Sequence, residues 1–231
     1  MTSTHKTTFT RRHALGLSFG LIASLAPVHA KFAFAQAEHP FYGSSEFVRD
    51  PALVPPAESN IDYPIQSYAS HLPQKFRRQE VTFGTAELPG TIIVDPEHRY
   101  LYLILGQDQA IRYGVGVGRQ GFAWSGEAYV GMKRKWPRWL PPEEMVQRDV
   151  HAAAWANGMP GGPENPLGAR ALYLHANKVD TMFRIHGTND PSSIGKAMSS
   201  GCIRMLNEDV ADLFERAPIG TRVVVLAAST L

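Results

Sequence analysis

The chain of 231 residues carries 23 Lys and Arg against 21 Asp and Glu, is 44% hydrophobic and 19% charged, and contains 20 Gly, 17 Pro and a single Cys. This composition excludes collagen, a long coiled coil and wholesale disorder, and fits a folded, loop-rich protein. One cysteine also excludes an intrachain disulfide framework and a Cys-rich zinc site, so in an exported chain the thiol needs another reason.

Residues 1–37 hold Lys6, Arg11, Arg12 and Lys31 and no acidic residue before Glu38. They are expected to form a twin-arginine export signal: Arg11-Arg12 begins it, Ala14 to Ala26 is an uncharged apolar run, and cleavage follows Ala37 or Ala30. Thirteen uncharged residues fall short of the ~20 that span a bilayer. Removing the segment leaves 19 basic against 21 acidic residues over 194, so the basic charge sits mainly in the signal and no nucleic-acid partner is expected. The expected location is the periplasm.

Residues 38–85, with Asp50-Pro51, Pro55-Pro56 and Tyr63-Pro64, show no sustained period and are expected to be an extended lead-in that packs on the domain. The catalytic domain is expected over 86–227. Thr91 to Val94, Tyr100 to Leu105 and Ile111 to Val117 are predicted as consecutive short strands joined at Asp95-Pro96-Glu97 and near Gly106. In the third, Gly114, Gly116 and Gly118 share one face, which lets another backbone or a ligand approach closely. The Gly-x-Gly-x-Gly spacing is not the dinucleotide fingerprint.

Residues 119–170, with Trp124, Trp136, Trp139, Pro141-Pro142 and four glycines from Gly158 to Gly168, cannot be one regular element. They are expected to be a long aromatic insertion lining a cleft, each Trp taken singly being ordinary loop packing. A short helix follows with Asn207 as N-cap, Glu208 and Asp209 in its first turn and Val210, Leu213, Phe214 and Ala217 on one face; Pro218 and Gly220 stop it. Val223 to Val225 form a closing strand. The expected fold is a single mainly β domain, sandwich or barrel-like, with one or two short helices.

The chemistry concentrates in Arg184-Ile185-His186-Gly187-Thr188-Asn189 and Met198-Ser199-Ser200-Gly201-Cys202-Ile203-Arg204-Met205. A histidine at a strand end precedes by 16 residues a cysteine in a small-residue loop. A thiol of pKa about 8.5 is mostly protonated at neutral pH, and a nearby imidazole can take its proton. Backbone N–H groups at Gly201 and Cys202 can stabilise an oxyanion. Alone, Cys202 reads as a small buried hydrophobe and His186 as a core histidine. Together, without a disulfide partner and each beside a glycine, they read as a Cys/His catalytic pair. His98, His151 and His175 offer no short ligand spacing, and no metal site is expected.

At these residues the sequence resembles the L,D-transpeptidase family, with its YkuD-type catalytic domain, whose signature is His-Gly-Thr followed by Ser-x-Gly-Cys-x-Arg. The resemblance runs from about Pro89 to Leu226 and includes Tyr113 to Arg119, Lys135 to Pro142 and Asn165-Pro166-Leu167-Gly168. It implies Cys202 as nucleophile, His186 as general base, and the Gly187 carbonyl as the group that orients the imidazole. It also implies that Ser199, Ser200 and Gly201 line the oxyanion and substrate site and that Arg204 holds substrate or loop. Where many members carry His before the Gly-Cys pair, this chain has Ser200, so His186 carries the base function alone.

The implied reaction is acyl transfer from a peptidoglycan tetrapeptide stem to the amine of a neighbouring stem or to a lysine of an envelope protein, without cofactor, by a monomer. The alternatives are a hydrolase of the same bonds and a catalytically silent cell-wall binding module.

Overall fold

The computed structural model describes residues 61–118, 125–199 and 201–227; the expected export signal, Trp124 and Ser200 lie outside them. Among the described residues eleven strands and three short α-helices alternate with single 3-10 turns. The strands are β1 (Gln79–Thr82), β2 (Ile92–Asp95), β3 (Tyr100–Gly106), β4 (Gln109–Gly114), β5 (Val117–Gly118), β6 (Gly126–Lys135), β7 (Arg170–Ala176), β8 (Val179–His186), β9 (Ala197–Ser199), β10 (Ile203–Arg204) and β11 (Arg222–Val225). The helices are α1 (Glu143–Arg148), α2 (Val150–Ala153) and α3 (Asn207–Arg216).

Nine strands make one mixed sheet in the order β1-β4-β3-β2-β11-β6-β7-β8-β10, while β5 and β9 pair in parallel beside it. Two hairpins fix its registers. β3–β4 turns through Gln107 and Asp108, and β7–β8 through Asn177 and Lys178, all four with positive φ. Two-residue turns with positive φ at both positions match the right-handed twist of the strands they join. At the far end β10 bonds to Gly116, two residues beyond β4, so the sheet curls back towards its own other half. This is the mainly β, barrel-like architecture the sequence pattern implies.

The core lies inside this curl. Ile92, Leu101, Leu172, Ile185, Ile203 and Val223 are buried there against Val210 and Leu213 of α3. A second cluster, Ile93, Tyr102, Ile104 and Ala110, covers the opposite face of β2–β4, which explains why Ile92, Ile93 and Val94 are all buried without alternation.

Two details differ from expectation. The stretch read as an aromatic insertion contains β6, ten residues long and central to the sheet; of its described residues, 136–169 are irregular around α1 and α2. And Leu206, not Asn207, occupies the N-cap of α3, with no side-chain capping bond. Leu206 sits instead in a small core with Leu72, Phe76 and Ile194, an apolar contact that a polar capping residue could not make.

The described part of the lead-in is held along its length. Glu208 Oε1 accepts the Tyr68 and Ala69 N–H groups at 2.6 and 3.0 Å. Phe76 lies against Gly114 and Gly195, where an added Cβ would come within 2.4 Å of the Phe76 backbone oxygen or ring. Asp62 accepts from Trp136 Nε1 at 3.0 Å and pairs with Arg170 at 3.2 Å.

Candidate active site

β8 and β10 run parallel with Ile203 opposite Ile185 and Arg204 opposite His186. Ile185 and Ile203 point into the core. Side chains alternate along a strand, so His186, Arg184, Arg204 and Cys202, which directly precedes β10, belong to the other face. The register sets Cys202 beside Arg184 and diagonal to His186, on the same face of the two strands. The pairing thus brings together residues separated by 16 positions. Met205 N–H extends it by donating to the His186 carbonyl at 2.8 Å.

His186 is buried, 4% exposed, and its Nδ1 lies 2.6 Å from the Gly187 carbonyl oxygen. A carbonyl only accepts, so the proton is on Nδ1 and Nε2 is the basic nitrogen. Burial pushes the imidazole down to about 4; the Gly187 and Leu167 carbonyls favour the protonated ring, and the Arg204 and Arg184 charges oppose it. Cys202 is half-buried. Burial pushes its thiol up, against the Arg184 charge, the Arg184 backbone amide and the Arg204 charge, which favour thiolate, while Asp180 disfavours it. Both partners are therefore neutral at rest at pH 7.

Gly201, before the cysteine, has φ +131°, where side chains are strained, and a Cβ there would approach the Phe183 ring to 3.4 Å. The Ser199 backbone pairs with Gly118 through β9 and β5. The structure thus brings Cys202, His186, Gly187, Gly201 and Arg204 into one region.

Two contributors were not singled out from sequence. Arg184 holds Asp180 through Nη1–Oδ1 and Nη2–Oδ2 contacts of 2.7 and 2.9 Å and lies over the Tyr173 ring at 4.3 Å. Between them, β8 bulges: the register with β7 shifts from Tyr173↔Arg184 to His175↔Asp180, and Met182 has φ +63°. Such bulges re-aim a strand next to a site. The period-2 spacing of Arg184 and His186 was the available signal. Among the described residues no group of three or more His, Cys, Asp or Glu is placed to hold a metal, and no helix is long and apolar enough to cross a membrane.

Residues 89–225 match a family model described as YkuD, the L,D-transpeptidase catalytic domain. The chain belongs to the L,D-transpeptidase family. It is similar to the probable L,D-transpeptidase YbiS of Escherichia coli K12, 36% identical over 144 residues that cover 58% of this chain and 43% of YbiS. The probable L,D-transpeptidase ErfK/SrfK of Salmonella typhimurium is 31% identical over 140 residues, 59% of this chain and 44% of its own length. The chain thus spans under half the length of these curated relatives. A solved structure described as a probable carnitine operon oxidoreductase, caia, from Brucella melitensis is 53% identical and covers 68% of this chain and 98% of its own, with a TM-score of 0.47. The family assignment rests on the match over 89–225, a range that includes His186 and Cys202.

Proposed function

We propose that this L,D-transpeptidase works by a cysteine acyl-enzyme on peptidoglycan tetrapeptide stems in the periplasm, reached through the export signal in residues 1–37. The observation that supports the reading is the parallel β8–β10 register, which puts Cys202 and the buried His186, with its Nδ1 on the Gly187 carbonyl, at diagonal positions on one face. Because both groups rest neutral, proton transfer accompanies attack. Nε2 of His186 takes the thiol proton as sulfur bonds to the carbonyl carbon of the third residue of the stem. The oxyanion is met by backbone N–H groups at Gly201 and Cys202. Collapse breaks the bond to the terminal D-Ala, whose nitrogen leaves with the proton from His186, and a thioester remains. An acceptor amine then loses a proton to His186 and displaces the thiol. The diamino acid of a second stem gives a cross-link, and a lysine of an envelope protein gives an anchor.

The test is mass spectrometry of products from purified muropeptides and the full chain, with Cys202→Ala alongside. Cross-linked product lost in the alanine variant is the expected result. Tripeptide without cross-link would identify a hydrolase, and turnover by Cys202→Ala would overturn the assignment. His186→Ala should slow acylation by ~10²–10⁴, whereas Ser200→Ala should cost much less. Equal losses would place Ser200 in the base role as well.

A further inference from the structure

The parallel register that pairs Arg204 with His186 carries the chain onward past residues 187 and 188, and the side chain of Asn207, the first residue of α3, comes within hydrogen-bond distance of Thr188. Its Oδ1 does not cap the helix. It accepts the Thr188 N–H at 3.2 Å and the Ala169 N–H at 2.9 Å. Thr188 N–H and the Gly187 carbonyl belong to one peptide group, and that carbonyl takes the Nδ1 proton of His186 at 2.6 Å. The plane is fixed on one side by Asn207 and used on the other by the imidazole. A peptide group is rigid about its C–N bond, so anchoring the N–H sets the direction of the C=O, and a hydrogen bond donated by the N–H makes the carbonyl a stronger acceptor.

The surroundings are shaped for this oxygen. A Cβ on Gly187 would lie 2.1 Å from Asn207 Oδ1, and one on Gly168 2.2 Å from it, so two glycines wall the place where the amide sits. Gly168 also has φ +62°, and its N–H donates to the Asn165 carbonyl at 2.9 Å. Asn165 is wholly buried, its Nδ2 bonded to the carbonyls of Pro137, Met159 and Pro160. The Asn165–Gly168 turn is thereby held where Leu167 and Ala169 flank the histidine loop.

We propose that Asn207 is a positioning residue for His186, acting through the Gly187–Thr188 peptide group. It makes a relay from Asn207 Oδ1 through the Thr188 N–H and the Gly187 carbonyl to Nδ1–H, which selects the tautomer that leaves Nε2 basic. The proposal rests on the reading of His186 as the base.

The experiment uses the full chain labelled with ¹⁵N-histidine, observed by long-range ¹H–¹⁵N correlation of the ring, with single-turnover acylation of Cys202 by a carbapenem followed by intact mass. Asn207→Ala is expected to lose the single Nδ1–H form of His186 and to acylate about 10- to 100-fold more slowly, the usual cost of removing a group that orients a functional side chain. Asn207→Asp keeps an acceptor of the same shape and is expected to restore the tautomer and most of the rate. A folded Asn207→Ala with native ring signals and native rate would overturn the proposal, as would an Asp variant no better than Ala. Should Asn207→Ala not fold, Asn207→Ser, too short to span both donors, takes its place with the same expectations. Acylation that persists in Cys202→Ala would instead overturn the underlying catalytic reading, while the ring spectra still judge the link from Asn207 to His186.

Discussion

Gly116 and Arg204 exchange two backbone hydrogen bonds, Gly116 N–H to the Arg204 carbonyl at 2.9 Å and Arg204 N–H to the Gly116 carbonyl at 2.8 Å. This clasp ties the strand after the nucleophile to the strand layer at the other end of the sheet.

Gly116 has no room for a side chain: a Cβ would sit 2.6 Å from the Ser193 carbonyl oxygen and 3.5 Å from Arg204 Cβ. Gly116→Ala should destabilise by about 1–3 kcal/mol, the range for forcing one carbon into a packed site. It should also slow acylation of Cys202, because β10 must shift. Urea unfolding with single-turnover acylation checks both; a native rate at reduced stability would show the clasp to be structural only.

The neutral resting pair predicts a pH profile. A preformed thiolate–imidazolium pair reacts with iodoacetamide at a rate almost independent of pH from 5 to 8. Here the thiol is held up by burial, so alkylation of Cys202 should climb with pH and keep climbing past 8.5. A plateau below pH 7 would contradict the neutral pair.

Two buried groups oppose one another in the pH dependence of stability. Burial lowers His186 to about 4 from 6.5, so between those values the unfolded chain binds a proton that the folded chain refuses, and stability falls on acidification. Asp209 is raised to about 7 from 3.8, chiefly by burial and further by Glu208 and Asp212, against Arg78. Across that window the folded chain holds the proton, and stability falls as pH rises. Asp209→Asn removes the second slope. It should match the native chain near pH 4, gain on it up to about pH 7 and hold a level advantage above that, which urea midpoints from about pH 4 to 8 would show; a constant difference would refute the raised carboxyl.

Glu208 fastens the lead-in by accepting from Ser67 Oγ, Tyr68 N–H and Ala69 N–H. Glu208→Ala leaves the two N–H groups without this acceptor and should cost about 1–3 kcal/mol. It should also advance tryptic cleavage at Lys75, Arg77 and Arg78 relative to sites in the sheet. An unchanged order of cleavage would mean that Leu72 and Phe76 hold the segment without it.

The elements that sequence pattern makes legible are those whose faces differ. β2, β3 and β4 carry dense β-branched and aromatic runs between turn residues, and α3 shows its apolar face at Val210, Leu213 and Phe214. β6 hides because Lys133, Arg134 and Lys135 end it. A charged run reads as surface, yet Lys133 lies over the Phe214 ring at 4.1 Å and stays inside the sheet. Cys202 and His186 stand out in the sequence because local chemistry marks both residues, and the β8–β10 register then puts them on one face. Asn207 reads as a cap because that is the usual use of asparagine at a helix start; its actual partners, Thr188 and Ala169, are 19 and 38 positions away.

β11 lies between β2 and β6, with Val223 opposite both Ile92 and Ala128. The strand that joins the two halves of the sheet is thus synthesised after all the others. Until Arg222–Val225 emerges, β2 and β6 each present an unpaired edge, the kind of surface that recruits foreign strands. A chain cut short before Arg222 would leave the ribbons β1-β4-β3-β2 and β6-β7-β8-β10 held to one another by the Gly116–Arg204 clasp and the β5–β9 pair without their central strand, and the second ribbon carries the histidine and leads into the cysteine loop. Such a fragment should aggregate rather than show partial activity, and folding of the intact chain should be slow, limited by a contact that spans 131 residues.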